Sequence, residues 1–247
     1  MPFGFLGEVN VYVWKSVFGG TSRRRLTACY LRCVDACYSN PGSYGNLAAC
    51  DYCVFHAPYH KLVRKAHARL QLRDSNDRPT NWCVAGDVAY EQSLVDKGLD
   101  ASLRKASADD YDKRVAPSTE APRHIGNCYT ASVFFGLVSL VASSDLEGKR
   151  VLLFSYGSGA VASMYVLKGR AGKIALSAIR STVDLSARLS KRVERSAADF
   201  AEACDAREAA YGAAPLEPSG GVPLAAGAFF LRGVDAKHRR EYGRMAA

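Results

Sequence analysis

No apolar run in this 247-residue sequence reaches the roughly 20 residues that a membrane-spanning helix needs. The longest, residues 131–142, reads as a buried helix instead, so no membrane span is expected. The first twenty residues lack a basic leader and a small-residue cleavage site, and Gly, Glu, Asn and Lys interrupt their apolar character, so no secretory signal is expected. Acidic residues are the minority, 24 against 33 Lys and Arg, for a net charge of +9 and a pI near 9.2. That balance suits nucleic acid, an acidic membrane surface or a polyanionic small molecule such as a CoA ester. There is no nucleic-acid-binding motif, and the basic residues are spread through amphipathic segments instead of joining aromatics on one stripe. No nucleic-acid partner is therefore expected. There is no internal repeat, and Cys50-x-x-Cys53 has no second pair at zinc-ribbon spacing. The eight cysteines read as small buried hydrophobes, with Cys29, Cys33 and Cys37 on one helix face, and neither a metal site nor a disulfide framework is expected. These features point to the cytoplasm, with the mitochondrion also open.

What is present is ordinary globular composition, 48% hydrophobic and 23% charged, enough for a real core. The alternating run 9–14 suggests a strand. Apolar residues at helical spacing predict an amphipathic helix over 26–38, closed by the Gly/Asn-rich segment 40–46. A short strand over 51–55 leads through Ala57 and Pro58 into a helix over 59–72, and 73–81 reads as a loop. Helical periodicity returns at 90–106 and 111–115. An apolar helix follows over 127–142, whose lack of a polar face calls for cover on more than one side. Residues 151–156 form a buried strand, 157–159 a glycine turn, and 160–167 a returning strand. A helical region is expected over 185–211, a loop over 215–223, a strand over 228–234 and a polar surface tail over 237–244. Strands interleaved with helices make this an α/β layered protein.

The chemistry gathers around the strand-to-helix junction after residue 55. An imidazole at a strand end can exchange or donate a proton near neutral pH, and Lys61 and Lys65 share one face of the following helix. Each candidate also has a plain structural reading. His56 could be a core histidine, Lys61 and Lys65 solvated surface cations, Asn127 a helix cap and Ser158 a turn serine.

Four blocks in sequence order go further. They are residues 55–65 (Phe-His-Ala-Pro-Tyr-His-Lys-Leu-Val-Arg-Lys), 125–132 (Ile-Gly-Asn-Cys-Tyr-Thr-Ala-Ser), 148–159 (Gly-Lys-Arg-Val-Leu-Leu-Phe-Ser-Tyr-Gly-Ser-Gly) and 234–242 (Val-Asp-Ala-Lys-His-Arg-Arg-Glu-Tyr). Together they resemble the C-terminal half of hydroxymethylglutaryl-CoA synthase over residues 26–247, with 1–25 a divergent N-terminal segment. The resemblance implies one half of a thiolase-like layered α/β fold, a mixed sheet with helices on both faces, with the N-terminal half absent. It implies that His56 is catalytic, engaging the carbonyl oxygen of acetoacetyl-CoA. Lys61 and Lys65 would contact CoA, and Asn127 and Ser158 the acyl substrate. Acetyl-CoA and acetoacetyl-CoA would be the substrates, in the mevalonate route to isoprenoids and sterols, with no cofactor besides CoA thioesters. A homodimer or the missing N-terminal half would be the partner. His60 departs from the family, which commonly has a smaller residue there.

The family's nucleophilic cysteine and its glutamate base match no position in these 247 residues. The chain alone is therefore expected to bind CoA esters weakly and not to turn over. A rival of another class is a non-catalytic acyl-CoA-binding or regulatory remnant. That rival predicts polar outer helix faces, against which the apolar run 133–142 speaks.

Overall fold

The computed structural model describes residues 5–8, 14–15, 23–39, 46–74, 88–157, 161–170, 173–218 and 223–246. They fall into two units, residues 1–191 and 192–247.

The first unit opens with two short strands, β1 (Phe5–Glu8) and β2 (Trp14–Lys15), and the helix α1 (Arg23–Ser39). Strand β3 (Tyr52–Phe55) and helix α2 (His60–Asp74) come next, then four short helices, α3 (Val88–Ser93), α4 (Lys97–Ala106), α5 (Ala108–Arg114) and α6 (Glu120–Ile125). The apolar helix α7 (Ser132–Ser143) precedes the hairpin of β4 (Arg150–Gly157) and β5 (Val161–Gly169), and α8 (Lys173–Val183) and α9 (Leu185–Ser190) close the unit. The sheet runs β1-β5-β4-β3, with β2 also paired to β5. Only β3 and β4 are parallel; β5 is antiparallel to β4, β1 and β2. This is the mixed α/β sheet that the sequence leads one to expect.

Side-chain alternation explains the layering. Cys53 and Phe55 of β3, with Leu152 and Phe154 of β4, face the core built on α1 and α2. Val54, Val151 and Leu153 face the other way, against Val133, Leu140 and Val141 of α7 and Leu176 of α8. Register keeps the faces matched, since Cys53 pairs with Leu152 and Val54 with Leu153. A strand buried on both faces has no polar face to show, which is why β4 reads as a continuous apolar run. Each such side chain, fully buried, contributes about 1.5–3 kcal/mol. Cys33, Cys37 and Cys53 fill volume in the first core, and burial pushes the Cys37 thiol up to about 12. α7 approaches β3 closely enough that a β-carbon at Gly136 would lie 2.7 Å from Val54 Cγ1.

Among the described residues, buried Asp35, Arg69 and Arg73 gather charge in the first core. Asp35 accepts from Arg69 Nε at 2.5 Å and from the Tyr90 hydroxyl at 3.0 Å, tying α1 to α2 and α3.

The second unit holds α10 (Ala197–Ala210), opened by a Ser196–Asp199 capping box, and an antiparallel pair, β6 (Phe229–Val234) and β7 (Arg240–Arg244).

Several boundaries differ from expectation. The helix expected over 90–106 is two, because Asp96 caps α4 by accepting from Leu99 N–H at 3.0 Å. The α-helix expected from residue 127 starts at Ser132, after a 3-10 turn over Tyr129–Ala131, since Tyr129 holds a positive φ of 50° that an α-helix does not continue through. Residues 185–211 form α9 and α10 separated by 191–196, and α8 was not expected. The polar tail over 237–244 contains β7, whose mostly exposed residues gave no apolar alternation to read. Of the alternating run 9–14, only Trp14 lies among the described residues, in β2.

Candidate active site

His56 follows β3 directly, and its backbone is held from three sides. Its N–H continues the parallel ladder by donating to Phe154 O at 2.7 Å. Its carbonyl accepts from the Tyr30 hydroxyl of α1 at 2.8 Å. The next residue, Ala57, donates its N–H to Ser132 Oγ at the start of α7, 3.1 Å away. Sheet and both helix layers therefore fix the turn that carries the imidazole, which keeps its position independent of loop motion.

The His56 side chain is largely buried, 7% exposed, with its ring 6.2 Å from that of Tyr156. Burial lowers its pKa, so the imidazole is neutral at neutral pH. Among the described residues neither ring nitrogen has a hydrogen-bond partner in the protein, which leaves a donor and an acceptor for a ligand. Tyr30 packs edge-on against both Phe154 and Tyr156 behind it. Burial raises the titration of both tyrosines, so they remain neutral hydroxyls. The Tyr156 hydroxyl is buried beside Cys29 of α1.

His56 and Tyr156 line a cavity of about 1020 Å³ together with Tyr59, Asn127, Tyr129 and Gly157. That volume is at the upper end for small-molecule sites. Asn127 is exposed at its wall and does not cap a helix; its side-chain oxygen accepts from Tyr129 N–H at 2.8 Å. This local turn holds Tyr129 at positive φ with its side chain 78% exposed.

The structure thus brings together two of the five residues singled out in the sequence, His56 and Asn127. Ser158 lies outside the described residues; its neighbours Gly157 and Val161 line the cavity and pair across β4 and β5. Lys61 and Lys65 are on α2 and do not line it. Lys61 is exposed, and Lys65 is bound to Asp100 of α4 at 3.3 Å. Tyr30, Ser132 and Tyr156 escaped the sequence reading. Their contribution depends on contacts across the sheet, and Tyr30 gave only one position on an apolar stripe.

No group of three or more His, Cys, Asp or Glu among the described residues could hold a metal ion. No helix among them is long and apolar enough to cross a membrane. A neutral, anchored imidazole beside a neutral phenol can donate hydrogen bonds to a carbonyl oxygen and supply a proton as charge develops there.

Comparison with known proteins gives this geometry a family. The model for the hydroxymethylglutaryl-coenzyme A synthase C-terminal family matches residues 24–245. The hydroxymethylglutaryl-CoA synthase of Schizosaccharomyces pombe is 36% identical over 236 residues, covering 87% of this chain and 52% of that protein. The human mitochondrial hydroxymethylglutaryl-CoA synthase is 34% identical over 245 residues, covering 87% of this chain and 48% of its own. A solved structure of MvaS in complex with 3-hydroxy-3-methylglutaryl coenzyme A superposes with a TM-score of 0.66 at 26% identity, covering 98% of this chain and 56% of that one. The chain spans about half the length of the curated relatives it matches.

Proposed function

The chain belongs to the hydroxymethylglutaryl-CoA synthase C-terminal family, and from that premise we propose that it supplies the histidine-bearing half of a condensing site. The reaction joins acetyl-CoA, acetoacetyl-CoA and water to give hydroxymethylglutaryl-CoA and free CoA, for the mevalonate route to isoprenoids and sterols. The observation that carries this reading is the neutral His56, anchored through its backbone and facing a cavity of about 1020 Å³ with Asn127 on its wall.

In this proposal the acetoacetyl group lies in the cavity with its ketone oxygen against His56. The imidazole N–H donates to that oxygen and stabilises the alkoxide that forms as the acetyl carbanion attacks the ketone carbon, and the proton that the carboxylate base took from the acetyl methyl neutralises that alkoxide. Asn127 and Ser158 orient the acyl thioester, and Lys61 and Lys65 meet the phosphates of CoA as point charges. For Lys65 this requires release from Asp100. The thiolate that carries acetyl and the carboxylate that deprotonates it come from the half present in the longer relatives, as a separate chain or a preceding segment. These 247 residues alone bind CoA thioesters without turnover. A second copy is a further partner, and the cytoplasm the working compartment, with the mitochondrion the alternative that a mitochondrial relative supports.

The test is CoA release from acetyl-CoA plus acetoacetyl-CoA, measured for the chain alone and for the chain joined to the N-terminal half of a relative. Turnover is expected only for the joined form, and His56→Ala should lower it by about 10²-fold or more. Unchanged turnover in His56→Ala removes the imidazole from the mechanism, and turnover by the chain alone refutes the need for a second half.

A further inference from the structure

The hairpin of β6 and β7 sorts its side chains onto two unlike faces. Side chains alternate along a strand, so Arg240, Tyr242 and Arg244 of β7 point one way and Glu241 and Gly243 the other. Register carries the sorting across to β6: Arg244 pairs with Phe229 and Tyr242 with Leu231, while Gly243 pairs with Phe230 and Glu241 with Gly233. The second of these faces is filled and balanced by its own residues. A β-carbon at Gly243 would lie 2.5 Å from the Phe230 ring, and Glu241 holds Arg232 at 3.4 Å.

The first face is open and carries charge of one sign. Phe229 is 71% exposed and Tyr242 60%, and Arg240 and Arg244 are exposed beside them. The Arg244 guanidinium lies over the Phe229 ring, 5.3 Å from its centroid. The turn between the strands adds exposed Lys237, and the carboxylate there, Asp235, is taken by Arg239 at 2.6 Å. Among the described residues no carboxylate pairs with Lys237, Arg240 or Arg244. Along the sequence these cations are spread among polar neighbours, which is why no nucleic-acid partner was expected. Strand pairing is what gathers them around two rings.

Aromatic faces set among unbalanced cations match a polyanion that itself carries flat rings. Phe229 and Tyr242 are diagonal neighbours across the strands, a spacing of about 7–8 Å. That is roughly twice the 3.4 Å advance per nucleotide of a stacked strand, so an extended strand can set one base on each. Leu231 between them is half-buried, which leaves no continuous apolar wedge for a lipid bilayer to accept.

We propose that this face of the hairpin binds single-stranded nucleic acid. The Tyr242 ring and the Phe229–Arg244 stack are platforms for two successive bases, and Arg240 and Lys237 meet the flanking phosphates. Little preference among bases follows, since every base offers a π-face. The site involves neither His56 nor the condensing reaction.

Fluorescence anisotropy of a labelled single-stranded oligouridylate, titrated with the full chain, tests the proposal. Tyr242→Ala is expected to weaken binding by about fivefold or more, the low end of what one stacked base contributes. Tyr242→Phe keeps the ring and should bind as the unaltered chain does. Arg240→Gln should weaken binding and reduce the slope of log affinity against log salt by about 0.7, the value for one phosphate contact on a single strand. Lys105→Gln, an exposed cation on α4, and Tyr211→Ala, an aromatic 91% exposed outside the hairpin, should leave affinity unchanged. A duplex of the same length should bind more weakly, because its bases are already stacked on one another. Unchanged affinity in Tyr242→Ala, or equal losses in Arg240→Gln and Lys105→Gln, would reduce the attraction to diffuse charge and overturn the site. A loss in Tyr242→Phe as large as that in Tyr242→Ala would overturn the stacking role. Binding to phosphatidylserine vesicles without affinity for the oligonucleotide would assign the face to a membrane surface and overturn it as well.

Discussion

Replacing Ser132 by alanine removes one oxygen from a residue that is 1% exposed, and that oxygen is the hydrogen-bond partner of the Ala57 N–H at 3.1 Å. No other described group accepts from this N–H, and Ala57 itself is buried. A buried donor left unsatisfied costs about 1–3 kcal/mol, against little lost packing for a serine-to-alanine change. Taking about 2 kcal/mol with an m-value of about 2 kcal/mol/M, the urea midpoint should fall by about 1 M. Unfolding followed by far-ultraviolet circular dichroism measures it. The consequence extends to the site, because Ser132 fixes the residue next to His56. In an assembled condensing enzyme, Ser132→Ala should lower turnover through the position of the imidazole, by up to about 10²-fold if it moves by about 1 Å. A midpoint within about 0.2 M of the unaltered chain would refute the claim that this hydroxyl anchors the junction.

Asp35→Ala should destabilise the chain by about 3–5 kcal/mol, because the buried Arg69 loses its carboxylate. Adding Arg69→Met should recover part of that loss in the same urea assay. Burial holds the pKa of His56 and of His67 below the ordinary histidine value, so in the acid range the unfolded chain binds more protons than the folded one. Stability should therefore be full above about pH 6.5 and fall as pH is lowered, until the folded-state histidines also protonate. His56→Asn and His67→Asn should each flatten this slope in urea midpoints measured across the range. Lys61→Ala should weaken CoA binding more than Lys65→Ala in calorimetric titration, because Asp100 already holds the Lys65 ammonium at 3.3 Å.

The parts of the fold that could be read in advance are those whose burial leaves a pattern. β4 lies between two apolar layers, so its residues are hydrophobic in succession, and α1 shows a stripe from Tyr30 through Cys33, Val34 and Cys37. β7 is mostly exposed, so nothing in its residue types marks its pairing with β6. The start of α7 depended on the backbone angle at Tyr129, which local hydrogen bonding sets and which apolar periodicity does not record. At the site, His56 stood out because a strand, a proline and a helix flank it. The residues that hold it did not, since Tyr30 and Ser132 come from distant segments and reach it only after the sheet and both helix layers close. The partner of Lys65, Asp100, lies on another helix, so the sequence could place the lysine on a face but not reveal that its charge is already engaged.

The central claim is that His56 meets an acyl-CoA in the cavity it lines. The most direct test is to follow the imidazole nitrogen resonances of His56 by nuclear magnetic resonance while acetoacetyl-CoA is added to the full chain, using His56→Asn to assign them. The account predicts a saturable shift of the His56 signals that free CoA, lacking the acetoacetyl group, does not reproduce. Binding of acetoacetyl-CoA that leaves those resonances unmoved would contradict it.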